Sequence, residues 1–284
     1  AVGNESLKAT TTGSYNVAVG STAGENNTTG ANNTALGRGA LTANTTASNN
    51  TAVGYGSLTA NTTGTSNVAL GAHALDANTT ASNNVALGTS SLGTCTTGVQ
   101  NTAVGSGAIQ RSTTAVNNVC VGYLAGEYIT TGNENTAMGT RSLQNTTTGA
   151  YNTAIGLSAL AANTTASNNT ALGYAALTAN TTGHDNVAVG YNSLKVSTTT
   201  NYNTAVGRET LSGCTTGGQN TALGNGALSG TTTGTYNCGL GYNPQATSAT
   251  VSGQFILGDA NTTDLRCNDQ NISGLSDQRD KTDI

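Results

Sequence analysis

Glu25, Asp76 and Glu127 fall three repeats apart at one position of a recurring unit, and Glu134 and Asp185 do so at another. Paired carboxylates are the machinery of glycoside hydrolysis, which needs them about 5 to 9.5 Å apart. If each repeat rises by one strand spacing of about 4.8 Å, neighbours within either set stand about 14 Å apart, too far to share a glycosidic bond. No enzyme is expected from these acids. His73 and His184 occupy different repeat positions, without acidic or cysteine companions at ligand spacing, so neither is read as a metal ligand. The calcium-binding Gly-Gly-x-Gly-x-Asp nonapeptide is absent, and neither metal nor cofactor is expected.

The thiols and phenols are more regular. Cys95, Cys120, Cys214, Cys238 and Cys267 form an odd set with no C-x-x-C spacing. Cys95 and Cys214 share a repeat position seven units apart, which places them about 34 Å from one another and out of disulfide reach. They read as isolated thiols, and Cys120, standing where other units have Ala, as a small buried one. Nine of the ten tyrosines fall at two positions: Tyr15, Tyr151, Tyr202 and Tyr236 at one, Tyr55, Tyr123, Tyr174, Tyr191 and Tyr242 at the other. Tyr55, Tyr123, Tyr174 and Tyr191 are candidate binding residues, because exposed rings stack on sugars. The competing reading has the tyrosines covering strand ends and packing between chains.

The element that positions all of these is Asn-x-Ala-x-Gly, seen in Asn50-Thr51-Ala52-Val53-Gly54 and Asn67-Val68-Ala69-Leu70-Gly71. Its glycine recurs every 17 residues from Gly3 to Gly241 without insertion or deletion, so one structural unit is stacked as an array. Counting from the Asn, position 2 is Thr or Val, 3 Ala, 4 aliphatic and 5 Gly. Position 8 is Ala or Ser, 9 Leu, and 12 to 15 commonly Asn-Thr-Thr-Gly. Seventeen residues rich in Gly, Asn and Thr are too few for a helix pair and suit one short coil of strand and turns. Positions 2 and 4 share a strand face, and the apolar content of that face predicts that it points inward, joined by the Leu of position 9. The glycines at positions 5 and 15 mark corners needing positive φ or close approach. The position-1 asparagines are expected to line up and hydrogen-bond along the axis. Small side chains at positions 3 and 8 leave a flat surface for other copies of the chain, from which a homo-oligomer is inferred.

Composition agrees with a thin, elongated object. Only 35% of residues are hydrophobic, there is no Trp and one Phe, and charged residues make up 8%, a profile that suits neither a thick core nor a disordered chain. A net charge of -4 without basic clusters argues against nucleic acid or an anionic membrane as partner, and no apolar run is long enough to insert in a bilayer. The array is read as residues 1–241, fifteen coils. Residues 242–258 form a degenerate coil whose Gly258 keeps the period and whose Phe255 closes the core. Residues 259–275 are a connector, and residues 276–284, where charge rises sharply, begin something different. Because the chain opens inside a repeat, at Ala1-Val2-Gly3, it is expected to be a fragment.

The Asn-[Thr/Val]-Ala-[Val/Ile/Leu]-Gly core resembles the head repeats of trimeric autotransporter adhesins, which form parallel β-rolls packed as trimers, and the same repeat type is found in bacteriophage tail fibres. This unit is longer than that of the adhesin heads and differs in its position-9 leucine and Thr-Thr-Gly segment. The closing Leu275-Ser276-Asp277-Gln278-Arg279-Asp280-Lys281-Thr282-Asp283-Ile284 resembles the start of the intramolecular chaperone domain of phage tail fibres and endosialidase tailspikes. In that family the domain trimerises the fibre and then cuts itself off. The resemblance implies Ser276 and Lys281 as the autocleavage pair, with the cut between Leu275 and Ser276. A serine hydroxyl is a weak nucleophile, and a desolvated neutral lysine can take its proton.

Together these readings predict an all-β chain, a parallel β-roll or β-solenoid of 17-residue coils packed as a homotrimeric fibre. The implied role is structural and host-recognising: virion attachment through a bacterial cell-surface glycan or protein receptor, alongside other tail proteins. The alternatives are a cellular adhesin head and, third, an ice-binding solenoid suggested by periodic Thr. The last is disfavoured because adjacent threonines point to opposite faces of a strand.

Overall fold

A computed structural model describes residues 1–263. The chain is an all-β solenoid of 17-residue coils, as the period predicts. Fifteen three-residue strands, from β1 (Val17–Val19) to β15 (Phe255–Leu257), form one parallel sheet in sequence order. Register is fixed by the repeat: Thr51, Ala52 and Val53 pair with Val68, Ala69 and Leu70, and every other strand pair follows the same offset. At about 4.8 Å per strand the sheet runs about 70 Å. Among the described residues no helix is long and apolar enough to cross a membrane.

The strands are short, but axial hydrogen bonding is not confined to them. In the coil that starts at Asn50, Leu58 N donates to Ala74 O at 3.0 Å, Thr62 N to Thr79 O at 2.9 Å and Gly56 N to Arg38 O at 3.1 Å. The turns therefore stack on one another through backbone amides, as the sheet does. Position 5 is where this close stacking needs glycine. Gly139 has φ +131°, and a Cβ there would stand 2.7 Å from the carbonyl of Gly156 in the next coil. Position 15 meets the sequence expectation through close approach alone. Gly64 and its equivalents do approach the next coil closely but do not have positive φ, and Ala47, Ala81 and Thr200 occupy the same position.

The inward face is also not the one expected. Ala52, Ala69 and the other position-3 residues of β1 to β14 are buried, while the residues on either side of them point outward. Leu70 is 51% exposed and Leu172 44%. The reason is width. The position-9 leucines, such as Leu58, Leu75 and Leu143, are fully buried and fill the coil from the opposite wall, so only a methyl fits beneath them on the strand. These leucines sit in the left-handed region, with φ 47° at Leu58 and 49° at Leu143, a strained conformation that burial of the side chain offsets. In β15 the same geometry turns Ile256 toward the core and leaves Phe255 66% exposed, so the sole Phe does not close the core.

The asparagine column forms as expected, and a second one accompanies it. Asn50 Oδ1 accepts from Asn67 N at 3.0 Å, and Asn50 Nδ2 donates to Gly64 O at 2.9 Å, closing its own coil. From position 12, Asn61 Nδ2 donates to the same Gly64 carbonyl at 3.0 Å and to Asn44 Oδ1 at 2.9 Å. Both asparagines are fully buried. Their amides meet the hydrogen-bonding demand of a turn that has no sheet partner, which explains why a polar residue occupies the core.

Candidate functional site

With positions 2 and 4 outside, the outer sheet face carries an unbroken aliphatic strip at position 4 and, at position 2, Thr in eight of the fifteen strands and Val in five. It carries Val17, Leu36, Leu70, Met138, Leu172 and Leu223 in two columns along the rod. Beside this strip, just past the position-5 glycines, run the position-6 and position-7 side chains, and here the chemistry-bearing residues gather.

Of the four candidate tyrosines, three enter clusters. Tyr174 and Tyr191, one coil apart, stack with centroids 5.3 Å apart and planes at 13°, and Arg208 in the following coil lies 5.6 Å from the Tyr191 ring. Arg208 also pairs with Glu209 at 3.0 Å. Tyr55 lies between Arg38, 5.8 Å from its ring centroid, and His73, whose ring stands edge-on to it at 5.0 Å. Tyr123 makes no comparable ring or cation contact among the described residues. All four rings are about half exposed on the single chain. Tyr202 of the other tyrosine column packs edge-on against His184 at 5.2 Å.

Both histidines have a carboxylate at hand, contrary to the sequence reading: His73 Nδ1 is 3.3 Å from Asp76 and His184 Nδ1 is 2.6 Å from Asp185. Asp76 is three residues on, and the turn of positions 7 to 10 folds it back. Glu127, one of the three acids that share position 10, is buried at the side of the rod. Gln144 donates to it at 2.8 Å and Arg111 lies 3.8 Å away. Arg111 also covers Tyr128, the tenth tyrosine, at 4.8 Å. Among the described residues no three His, Cys, Asp or Glu side chains come together as a metal site. No family model, curated protein or solved structure matches the chain.

The thiols behave as isolated groups. Cys95, Cys120, Cys214 and Cys238 are free, and Cys267 lies outside the described residues. Cys95 and Cys214 replace the position-12 Asn and point their sulfurs at the carbonyl it would have used, Gly98 O at 3.4 Å and Gly217 O at 3.2 Å. Burial pushes both thiols up to about 11. Cys120 is raised further by the same cause. Ser276 and Lys281, the autocleavage pair implied by resemblance, also lie outside the described residues, as does the Leu275-Ser276 junction.

The two threonine columns separate cleanly. Position-13 hydroxyls donate along the axis, as Thr62 does to Thr79 O at 3.0 Å, whereas position 14 is Thr from Thr12 to Thr250 and exposed throughout.

The tyrosine clusters were partly legible in the sequence. Arg38 and Tyr55, Tyr191 and Arg208, and Arg111 and Tyr128 are each one period apart at the same repeat position, and an in-register solenoid stacks such pairs. Sorting tyrosines alone by position, without arginines, misses them.

Proposed function

We propose that this chain is the shaft or distal segment of a homotrimeric bacteriophage tail fibre, a non-enzymatic rod that attaches the virion to a bacterial surface. The observation that carries it is the apolar outer sheet face. An unbroken column of aliphatic side chains at position 4 runs the length of the parallel sheet beside a position-2 column of Thr and Val, and contiguous apolar surface of that extent marks a protein-protein interface. A second and third copy of the same rod, in the same register, present the strip that covers it. The Tyr-Arg columns stay beside the strip, available to a cell-surface glycan or protein receptor. In the full-length precursor, Ser276 and Lys281 would serve the release of the chaperone, with other tail proteins joining the fibre.

Light scattering on the purified chain, with negative-stain imaging, tests this: three chains in one rod is the expected outcome, and a monodisperse monomer defeats the proposal. Leu70→Glu combined with Leu172→Glu, both already solvent-exposed on the single chain, leaves each coil folded and disperses the assembly into single rods. A carboxylate in a buried apolar interface carries a large desolvation penalty, whereas on a free face it carries none.

A further inference from the structure

We propose that a slot formed by Arg38, Tyr55 and His73 binds a pyranose bearing a carboxylate, a hexuronate-type unit of an acidic polysaccharide. The inference rests on the attachment reading for the source of the glycan, and on the local geometry for its chemistry.

The slot exists because two consecutive coils have glycine at position 7, Gly39 and Gly56, the only such consecutive pair in the array. The backbone does not demand them. Thr22, Ser90, Leu124 and Asn192 hold the same position at φ 54–59°. At the other glycines of this position the next coil fills the gap: Leu124 reaches to 2.6 Å of where a Cβ on Gly107 would be, and Asn243 to 3.0 Å of one on Gly226. Above Gly56 stands His73, at 3.2 Å. Above Gly39 the nearest atoms, Thr42 Oγ1 and the Gly56 backbone, stand at ordinary contact distance, 3.8 to 4.0 Å, and no side chain of the next coil fills the gap. It opens into a cavity of about 280 Å³ floored by the two glycines, with Arg38, Tyr55, His73 and Thr59 around it. That is just below the range of about 300–1,000 Å³ that holds drug-sized ligands, and suits one sugar ring.

Its lining matches an acidic sugar. Arg38 has no carboxylate within ion-pairing distance among the described residues, whereas Arg111 and Arg208 each have a glutamate. Its planar fork is therefore free for a bidentate carboxylate. Tyr55, held by His73 against its edge, offers an apolar ring to the C–H face of a pyranose, and Asp76 fixes His73 from outside the cavity. The Tyr174–Tyr191–Arg208 cluster is the internal control. It repeats the Tyr-Arg stack, but Ala175, Asn192 and Glu209 occupy position 7, so it has no slot, and Glu209 neutralises its arginine.

The test titrates the full chain with sodium D-glucuronate and D-galacturonate, with D-glucose, D-galactose and inorganic phosphate as controls, by ligand-observed NMR. Saturable uronate binding without binding of the neutral sugars is the expected result. Arg38→Gln should weaken it at least tenfold, and Gly39→Leu, which places in the slot a side chain that position 7 already tolerates at Leu124, should abolish it. Lys195→Gln, which removes an exposed cation many coils away, should leave it unchanged. Circular dichroism confirms that each variant folds. Equal binding of neutral sugars, equal competition by phosphate, or indifference to Gly39→Leu overturns the proposal. Adsorption of labelled rods to encapsulated bacteria separates the two readings. Adsorption without uronate binding overturns the slot alone, and uronate binding without adsorption upholds the slot while removing the attachment role.

Discussion

The inner and outer sides of one strand follow different rules. In Thr136–Met138 the middle residue, Ala137, is fully buried, while Met138 is 43% exposed. Across the array the inner column is Ala at almost every coil, and the outer columns range over Val, Leu, Ile, Met, Thr and Phe. The inner wall lies against a leucine at close-packed distance, so its volume is fixed. The outer wall keeps only an aliphatic character at position 4, while position 2 accepts Thr as readily as Val. Where the inner volume does change, the coil compensates within itself: Cys120 replaces Ala, and the same coil has Gly126 in place of Leu at position 9 and Ile129 in place of Asn at position 12. A Cβ on Gly126 would lie 2.6 Å from the Cys120 sulfur and 2.7 Å from Ile129 Cδ1, so Cys120 and Ile129 fit only with glycine at 126.

The largest effect that would break the comparison comes from the axial packing that both sides share. Gly139→Val places a branched side chain at φ +131°, 2.7 Å from the Gly156 carbonyl, where the backbone of the next coil cannot move without losing its own ladder. A cost above about 4 kcal/mol is expected, and because each coil depends on its neighbours the array should split there. Limited proteolysis cutting between the two halves, and not at the ends, checks this. Leu143→Ala is next. The residue is fully buried, and its removal should cost about 2 to 5 kcal/mol in thermal or denaturant unfolding. Leu172→Ala on the outer face of the isolated rod should stay within about 0.5 kcal/mol, and an equal cost at the two sites would erase the distinction.

Much of this was legible in the sequence, and what was not has a physical cause. The invariant spacing gave strand order and register, because an in-register parallel stack is what an uninterrupted period builds, and the Leu58-type residues were recognisable as core. Alternation established that Val53 and Thr51 share a face but not which way that face looks. Apolar character pointed inward, yet the better signal was uniformity. Ala52 and its equivalents scarcely vary, as a close-packed wall requires, whereas Val53, Leu70, Met138 and Ile155 differ in shape as an outer surface allows. The second asparagine ladder was hidden because Cys95, Ser112, Ile129 and Thr146 interrupt it. The slot at Gly39 and Gly56 shows only beside Thr22, Ser90 and Leu124, which prove that the backbone accepts side chains at that position.

The smallest effect concerns the thiols that stand in the inner columns, and its sign follows from burial. Cys95 and Cys214 are raised from the ordinary thiol value of 9.0 to about 11, because the folded coil disfavours the thiolate. Below pH 9 both folded and unfolded chains hold the proton, and stability does not depend on these groups. Between about pH 9 and 11 the unfolded chain releases protons that the folded chain retains, so unfolding is favoured as pH rises, and the loss levels off above the folded value. Each thiol contributes about 2 to 3 kcal/mol at that plateau. The check is a pair of unfolding curves at pH 8 and pH 10.5 on the wild type and on Cys95→Ser/Cys214→Ser in a Cys267→Ser background. The wild type should lose more stability than the double variant across that interval. Half-buried Cys238 should meanwhile react with a thiol reagent on the folded rod, before Cys95, Cys120 and Cys214 do. Equal pH dependence in both proteins, or early labelling of Cys120, would mean that the inner columns admit water and that the strand is not the one-sided wall described above.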